Sequence, residues 1–161
     1  MDRMDHIEVR MTRRQVLAMG GTAGLAAALT TLLPAEALAG RKEAKQLLEQ
    51  LTGGTKPELS RIAIDLPPYT EYGKQVRVAI AVDSPMTADD RVKAIHIIAE
   101  RNTVPEIATY RFGPMSGMAK ISTRIRVART QILTVLAEMG DGSFHIGKAR
   151  CKIARGGGGC G

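Results

Sequence analysis

The strongest constraint on the fold is an alternation of apolar and polar residues with a period of two, which recurs along most of the chain. In residues 120–128, KISTRIRVA, every second side chain is Ile, Thr or Val, and the side chains between these are Ser and Arg. Successive side chains of a β-strand point to opposite faces, so this pattern is typical of a strand with one buried face. Seven such segments, separated by turn-forming residues, predict an antiparallel β-sandwich of about seven strands. The segments are 59–66, 75–83, 92–100, 105–112, 120–128, 131–139 and 143–153.

A single helical pattern precedes the predicted strands. In residues 41–52, RKEAKQLLEQLT, the apolar residues recur at helical spacing, and Gly53-Gly54 follows directly. Glycine adopts the left-handed backbone conformation that ends many helices. The pattern therefore predicts a short amphipathic helix that ends near residue 52 and lies against the sandwich.

The first 39 residues have the three parts of an export signal. Arg13-Arg14 is followed by the apolar stretch 18–33, and Ala37-Leu38-Ala39 is a small-residue cleavage site. Paired arginines favour the twin-arginine route, so we predict a periplasmic protein cleaved after Ala39. The alternative is an uncleaved membrane anchor, because residues 15–33 are just long enough to span a bilayer. The glycines and threonines of that stretch and the cleavage site disfavour a stable anchor.

Composition limits the chemistry of the chain. The net charge of +7 attracts anions or acidic protein surfaces, but aromatic residues make up only 3% and no basic stripe is interleaved with them. Nucleic-acid binding is therefore not predicted. The histidines are scattered, no Cys and His spacing matches a zinc site, and no haem-attachment motif occurs. We predict no metal, no cofactor and no catalytic site, with His96 a packed residue of its strand.

The chain closes with the sequence GGGGCG, which places Cys160 in a run of glycines. Glycine lacks a Cβ atom and samples both signs of φ, so the tail is predicted to be a flexible arm. Fully extended, five residues reach about 17 Å. Basic residues precede the arm and could favour the thiolate of Cys160 or attract an anion, although they equally fit an ordinary solvated strand face. These residues are Lys148, Arg150, Lys152 and Arg155.

Other interpretations of the tail remain open. A disulfide between Cys151 and Cys160 is sterically possible, as is a bridge between the arms of two molecules, and an inert disordered terminus is the simplest alternative. Cys151 shares its strand face with Ala149 and Ile153, so we expect its side chain to lie in the core as a small apolar group.

Three stretches together resemble the SoxY family, the sulfur-carrier subunit of the Sox thiosulfate-oxidising system. They are VDSPMTADDRVKAIHIIAERN (82–102), STRIRVARTQILTVLAEMGDGSF (122–144) and the terminal glycine-flanked cysteine. The resemblance implies an immunoglobulin-like sandwich that forms a tight heterodimer with a SoxZ-like β-sandwich subunit and is not itself an enzyme. It implies that Cys160 is the covalent attachment residue, on an arm formed by Gly156, Gly157, Gly158, Gly159 and Gly161.

The resemblance also implies the partners that act on the arm. A c-type cytochrome joins the cysteine oxidatively to thiosulfate, giving a cysteine S-thiosulfonate. A manganese-dependent hydrolase then releases sulfate, and in some organisms a sulfane dehydrogenase oxidises the remaining sulfur. The family ending is Gly-Gly-Cys-Gly-Gly, whereas this chain has four glycines before Cys160 and only Gly161 after it.

The expected organisation is a signal peptide over 1–39, a helix within 40–54, a sandwich over 55–154 and a carrier arm over 155–161. The competing function is a non-catalytic immunoglobulin-like binding or scaffold module with an inert tail. A ubiquitin-like sulfur carrier is disfavoured by the export signal and by the Cys-Gly ending. A thiol-based copper or redox chaperone is disfavoured because no second ligand lies close to Cys160 in the sequence.

Overall fold

The computed structural model describes residues 35–155, with side chains from Gly40 to Ala154. The predicted signal sequence before residue 35 and the glycine tail after Arg155 lie outside the described residues. One helix and eight strands make up this region. They are α1 (Ala35–Thr52), β1 (Ile62–Asp65), β2 (Tyr69–Tyr72), β3 (Val76–Val82), β4 (Val92–Ala99), β5 (Glu106–Arg111), β6 (Lys120–Ile125), β7 (Gln131–Met139) and β8 (Phe144–Arg155).

The strands form two sheets packed face to face. One sheet has three strands in the order β1-β3-β6, and the other has five in the order β2-β8-β7-β4-β5. Every neighbouring pair is antiparallel except β2 and β8, which run parallel. This arrangement confirms the predicted immunoglobulin-like β-sandwich.

The seven predicted strands all form, and the eighth was missed. Strand β2 has only four residues and follows Pro67-Pro68, a pair that indicated a turn. Its outer position explains how prolines are tolerated beside it, because an edge strand needs a ladder partner on one side only. The carbonyl of Pro68 accepts a hydrogen bond from the Lys152 amide at 2.9 Å.

The core between the sheets is built from aliphatic side chains. Val78, Ile95 and Leu133 each have at most 1% of their surface exposed, and the same cluster includes residues from both sheets. Gly147 lies at a close approach of the two sheets. A Cβ atom there would lie 2.9 Å from Cγ2 of Ile62, so only glycine allows strand β1 to pack this tightly.

Helix α1 covers part of the outer face of the five-stranded sheet. Ala44 on the helix and Ile98, Leu136 and Ile146 on the sheet are buried, although the sheet residues point away from the core between the sheets. The helix ends as predicted at Thr52, because Gly53 and Gly54 adopt φ values of 59° and 84°. It begins earlier than predicted, at Ala35 rather than near residue 40, since the Ala- and Leu-rich stretch before Gly40 favours helix.

Candidate functional site

The glycine tail is attached to the longest strand of the sandwich. Strand β8 has 12 residues, and its ladder with β7 ends at the pair Gln131 and Cys151. The last residues of β8 therefore extend past β7. We call residues 152–155 the arm root, because the predicted carrier arm continues directly from them.

Strand β2 supports the arm root along one side. Its register pairs Tyr69 with Lys152 and Tyr72 with Arg155, so main-chain pairing continues to the last described residue. The missed strand β2 thus fixes the point from which the tail departs. Its signal in the sequence is weak, because a four-residue segment is too short for periodicity to be decisive.

A threonine side chain supports the other side of the arm root. The Thr130 hydroxyl oxygen accepts a hydrogen bond from the Ile153 amide at 2.9 Å and donates to the Ile153 carbonyl at 3.4 Å. If β7 began one or two residues earlier, its main chain would make these two hydrogen bonds to Ile153. The side chain of Thr130 therefore takes the place of the β7 main chain at this position.

Three hydrogen bonds hold the loop that carries Thr130. The Gln131 side-chain amide donates to Oδ1 of Asn102 at 2.9 Å, and its carbonyl accepts from the Arg101 main-chain amide at 2.7 Å. Asn102 Oδ1 also accepts from the Ala128 amide at 3.0 Å. The loops between β4 and β5 and between β6 and β7 are joined in this way beside the arm root. Gln131 lies on the same strand face as the buried Leu133. A polar residue at a position where the alternation predicts an apolar one was the sequence signal for this cluster.

Cys151 lies in the core, as predicted. Its side chain is 0% exposed and belongs to the apolar cluster between the sheets, and it is a free cysteine. Burial raises the pKa of the Cys151 thiol, which keeps it protonated and unreactive at neutral pH. A disulfide from Cys151 to the tail would require the sandwich to open. Cys160 itself lies outside the described residues.

The basic residues of β8 alternate on its solvent side but lie in different surroundings. Lys152 is paired in register with Tyr69, Arg150 with Ile132, and Lys148 with Thr134. At about 3.3 Å per residue, they lie roughly 10, 17 and 23 Å before Arg155 along the strand. Lys152 thus belongs to the arm root and Arg150 lies close to it, whereas Lys148 lies beside helix α1. For Arg155 the structure describes the main chain but not the side chain.

Apolar side chains are exposed near the arm root. Tyr69 is 61% exposed, Tyr72 is 56% exposed and Ile132 is 41% exposed. Tyr69 and Ile132 share a face with Arg150 and Lys152 and form with them a mixed apolar and basic surface beside the start of the tail. Tyr72 is three residues along β2 from Tyr69 and lies on the other face. Exposed tyrosines next to basic groups are typical of protein contact surfaces.

The described histidines are engaged in structural hydrogen bonds. His96 is buried and its Nδ1 lies 2.7 Å from the Thr109 hydroxyl, as expected for a packed strand residue. His145 Nδ1 lies 2.9 Å from the Ser60 hydroxyl. Within residues 35–155, no three His, Cys, Asp or Glu side chains are grouped as metal ligands would be.

Over residues 35–155, no helix combines the length and the hydropathy needed to cross a bilayer.

Comparisons with known proteins agree with this architecture. The sulfur carrier protein SoxY from Chlorobium limicola f thiosulfatophilum has 23% identity and a TM-score of 0.61, and the match covers 74% of this chain and 98% of that protein. A superoxide reductase (neelaredoxin) from Ignicoccus hospitalis has 12% identity and a TM-score of 0.52, covering 58% and 80%. At these identities the likenesses show the fold alone. No curated protein sequence matches the chain.

The family assignment comes from the sequence. The family model described as "Sulfur oxidation protein SoxY" matches residues 48–160, which runs from helix α1 through every strand to the terminal cysteine. The protein therefore belongs to the SoxY family.

Proposed function

We propose that this protein is a covalent carrier of sulfur substrates in thiosulfate oxidation, with Cys160 as the attachment residue. The observation that carries the proposal is the extent of the SoxY family match, which includes the tail and ends at Cys160. The fold agrees with such a role, because the strand before the tail is held on both sides almost to its last residue.

The chemistry requires one accessible thiol. The Cys160 thiolate and thiosulfate form a sulfur–sulfur bond, and two electrons pass to a c-type cytochrome, giving a cysteine S-thiosulfonate. A manganese-dependent partner then hydrolyses the bond between the sulfane sulfur and the sulfonate group, which consumes one water, releases sulfate and two protons, and leaves the cysteine persulfide anion. A sulfane dehydrogenase is the proposed partner for oxidation of the remaining sulfur. Each step is performed by a partner, so the protein is a carrier and not an enzyme.

The two cysteines are suited to different roles. Cys151 is enclosed in the core and its thiol pKa is raised, so it is a poor nucleophile. Cys160 stands among glycines, whose backbone freedom allows one sulfur atom to enter several active sites. Lys152 and Arg150 lie within the roughly 17 Å span of the five residues from Gly156 to Cys160. They can lower the energy of the thiolate and of its anionic adducts.

The export and assembly of the carrier are part of the proposal. The twin-arginine sequence directs the chain to the periplasm, and cleavage after Ala39 leaves Gly40 as the first residue. A SoxZ-like subunit is the proposed stable partner. The apolar and basic surface near the arm root is available for the proteins that meet the arm.

Intact mass spectrometry tests the proposal. The protein is isolated without reductant from thiosulfate-grown cells, and its C-terminal peptide is mapped. We expect thiosulfonate or persulfide additions on Cys160, their loss in Cys160→Ser, and their retention in the matched variant Cys151→Ser. Unmodified Cys160 on every molecule, with normal thiosulfate oxidation by Cys160→Ser cells, would instead support the scaffold function.

A further inference from the structure

A cleft of about 290 Å³ separates helix α1 from the outer face of the five-stranded sheet. Its floor includes Ile98 from β4 and Ala44 from the helix, both almost fully buried. Arg41 and Lys45 line it from the helix, and Lys148 lines it from β8. Cationic side chains from two separate elements therefore converge on one concave surface.

The positive charge of the cleft is only partly balanced. Glu100 is the one acidic residue in the lining, and its carboxylate lies 3.9 Å from Nε of Arg41. Lys45 pairs at 3.6 Å with Glu49, but both side chains are mostly exposed, so that pair is weak. Lys148 has no acidic partner among residues 40–154. A bound anion would supply the missing charge.

We propose that this cleft is a non-covalent binding site for a small divalent tetrahedral oxoanion, for which sulfate and thiosulfate are the probes. Lysine and arginine donate charge-assisted hydrogen bonds to such oxygens. The Thr134 hydroxyl, which is paired in register with Lys148, adds a neutral donor beside them. The volume accommodates one tetrahedral anion and several waters, since a water occupies about 30 Å³ in the liquid.

The proposed ligand of this cleft is a free anion. Along β8 the Cα atom of Lys148 lies about 23 Å before that of Arg155, whereas a five-residue tail spans about 17 Å when fully extended. The experiment blocks Cys160, so anion binding in the cleft and the proposed carrier chemistry are tested separately, and either can fail without the other.

Anion binding at this place has a structural consequence. The anion would bridge α1 to β8, which adds a tie between the helix and the sheet beyond their apolar contacts. Ligand that binds the folded state stabilises it by mass action. Sulfate also stabilises proteins in general by exclusion from their surface, so the site predicts a larger rise in unfolding temperature for the wild type than for Lys148→Gln.

The experiment is a titration followed by amide chemical shifts in the full chain, with Cys160 alkylated to prevent covalent chemistry. Sodium sulfate and sodium thiosulfate are titrated separately, with sodium chloride holding the ionic strength constant. We expect saturable shifts in residues 41–49 and around Lys148. Lys148→Gln and Lys45→Gln should each weaken binding about fivefold, and Lys148→Arg should retain it.

Lys120→Gln is the matched control. Lys120 is an exposed strand lysine on β6, in the other sheet and outside the cleft, so its loss should change the affinity by less than about twofold. Shifts that do not saturate, equal weakening by Lys120→Gln, or an affinity unaffected by Lys148→Gln would each overturn the proposal.

Discussion

Thr130 and Ile153 are joined by two hydrogen bonds between one side chain and one main-chain unit. The hydroxyl oxygen accepts from the Ile153 amide at 2.9 Å and donates to its carbonyl at 3.4 Å. The contact holds the last residues of β8 where the main chain of β7 no longer does. The predicted arm therefore continues from a strand end that is held on both sides.

Thr130→Val tests that contact. Valine keeps the shape of the side chain but leaves the Ile153 amide and carbonyl without this partner, so we expect a loss of about 1–3 kcal/mol in the free energy of unfolding. Hydrogen exchange of the Ile153 amide should become faster, while amides in the middle of β7 keep their rates. Thr55→Val, at an exposed position, should change stability by less than about 0.5 kcal/mol. Unchanged exchange at Ile153 would show that β2 alone fixes the root.

Gly147→Ala tests the close approach of the sheets. The added methyl group would meet Ile62 Cγ2 at 2.9 Å, so we expect a loss of about 1–3 kcal/mol, measured by urea unfolding. Gly117→Ala is the control, because nothing lies within 4 Å of its added Cβ atom. Combining Gly147→Ala with Ile62→Ala should cost less than the sum of the two single changes. Strict additivity would contradict the contact.

The pH dependence of stability reports the burial of Cys151. Burial raises the pKa of its thiol, so the folded state holds this proton more tightly than the unfolded chain. Its contribution is therefore complete below the unfolded pKa of about 8.5 and decreases as the pH rises above that value. The stability difference between the wild type and Cys151→Ala should shrink between pH 7 and pH 10. A difference that stays constant over this range would show that Cys151 titrates normally.

The burial of His96 should make the protein less stable at acidic pH, whereas the burial of Cys151 should make it less stable at alkaline pH. Desolvation lowers the pKa of the imidazole, although Glu106 and Glu138 oppose the shift. The Thr109 hydroxyl donates a hydrogen bond to the Glu106 carboxylate at 2.6 Å. The hydroxyl oxygen therefore accepts the hydrogen bond from His96, and Nδ1 of His96 is the donor. The unfolded chain takes up a proton more readily, so stability is lost as the pH falls below about 6.5.

His96→Gln checks this assignment by urea unfolding at pH 7.5 and pH 5. The wild type should lose more stability than His96→Gln over this interval. Equal losses in both proteins would assign the acid sensitivity to other groups.

Periodicity predicted the elements of this fold whose signal is local. Seven strands and the end of α1 follow from alternation and from Gly53-Gly54, because each depends on neighbours in sequence. Strand β2 was missed because four residues carry little periodicity and its partner lies in the last strand. The earlier start of α1 shows that helix propensity continues through the predicted cleavage site.

The candidate site was predicted only in part, for the same reason. The core position of Cys151 follows from its strand face, and the structure confirms it. The contacts of Thr130, Gln131 and Asn102 connect residues more than 20 positions apart, and no short pattern indicates them. Lys148, Arg150 and Lys152 have equivalent positions in the alternating pattern of β8. In the structure, only Lys148 of these three lines the cleft beside helix α1. The roles of Arg150, Lys152 and Arg155 stay predictions.

The position of β8 between two neighbours also has a mechanical meaning. A pull on the tail along the strand axis loads the ladders to β7 and β2 side by side, because their bonds run across the direction of pull. Many bonds must then break together, whereas an edge strand pulled sideways unzips one bond at a time. A force applied to the tail along this axis is therefore shared by both ladders, and detaching β8 requires more force than unzipping an edge strand.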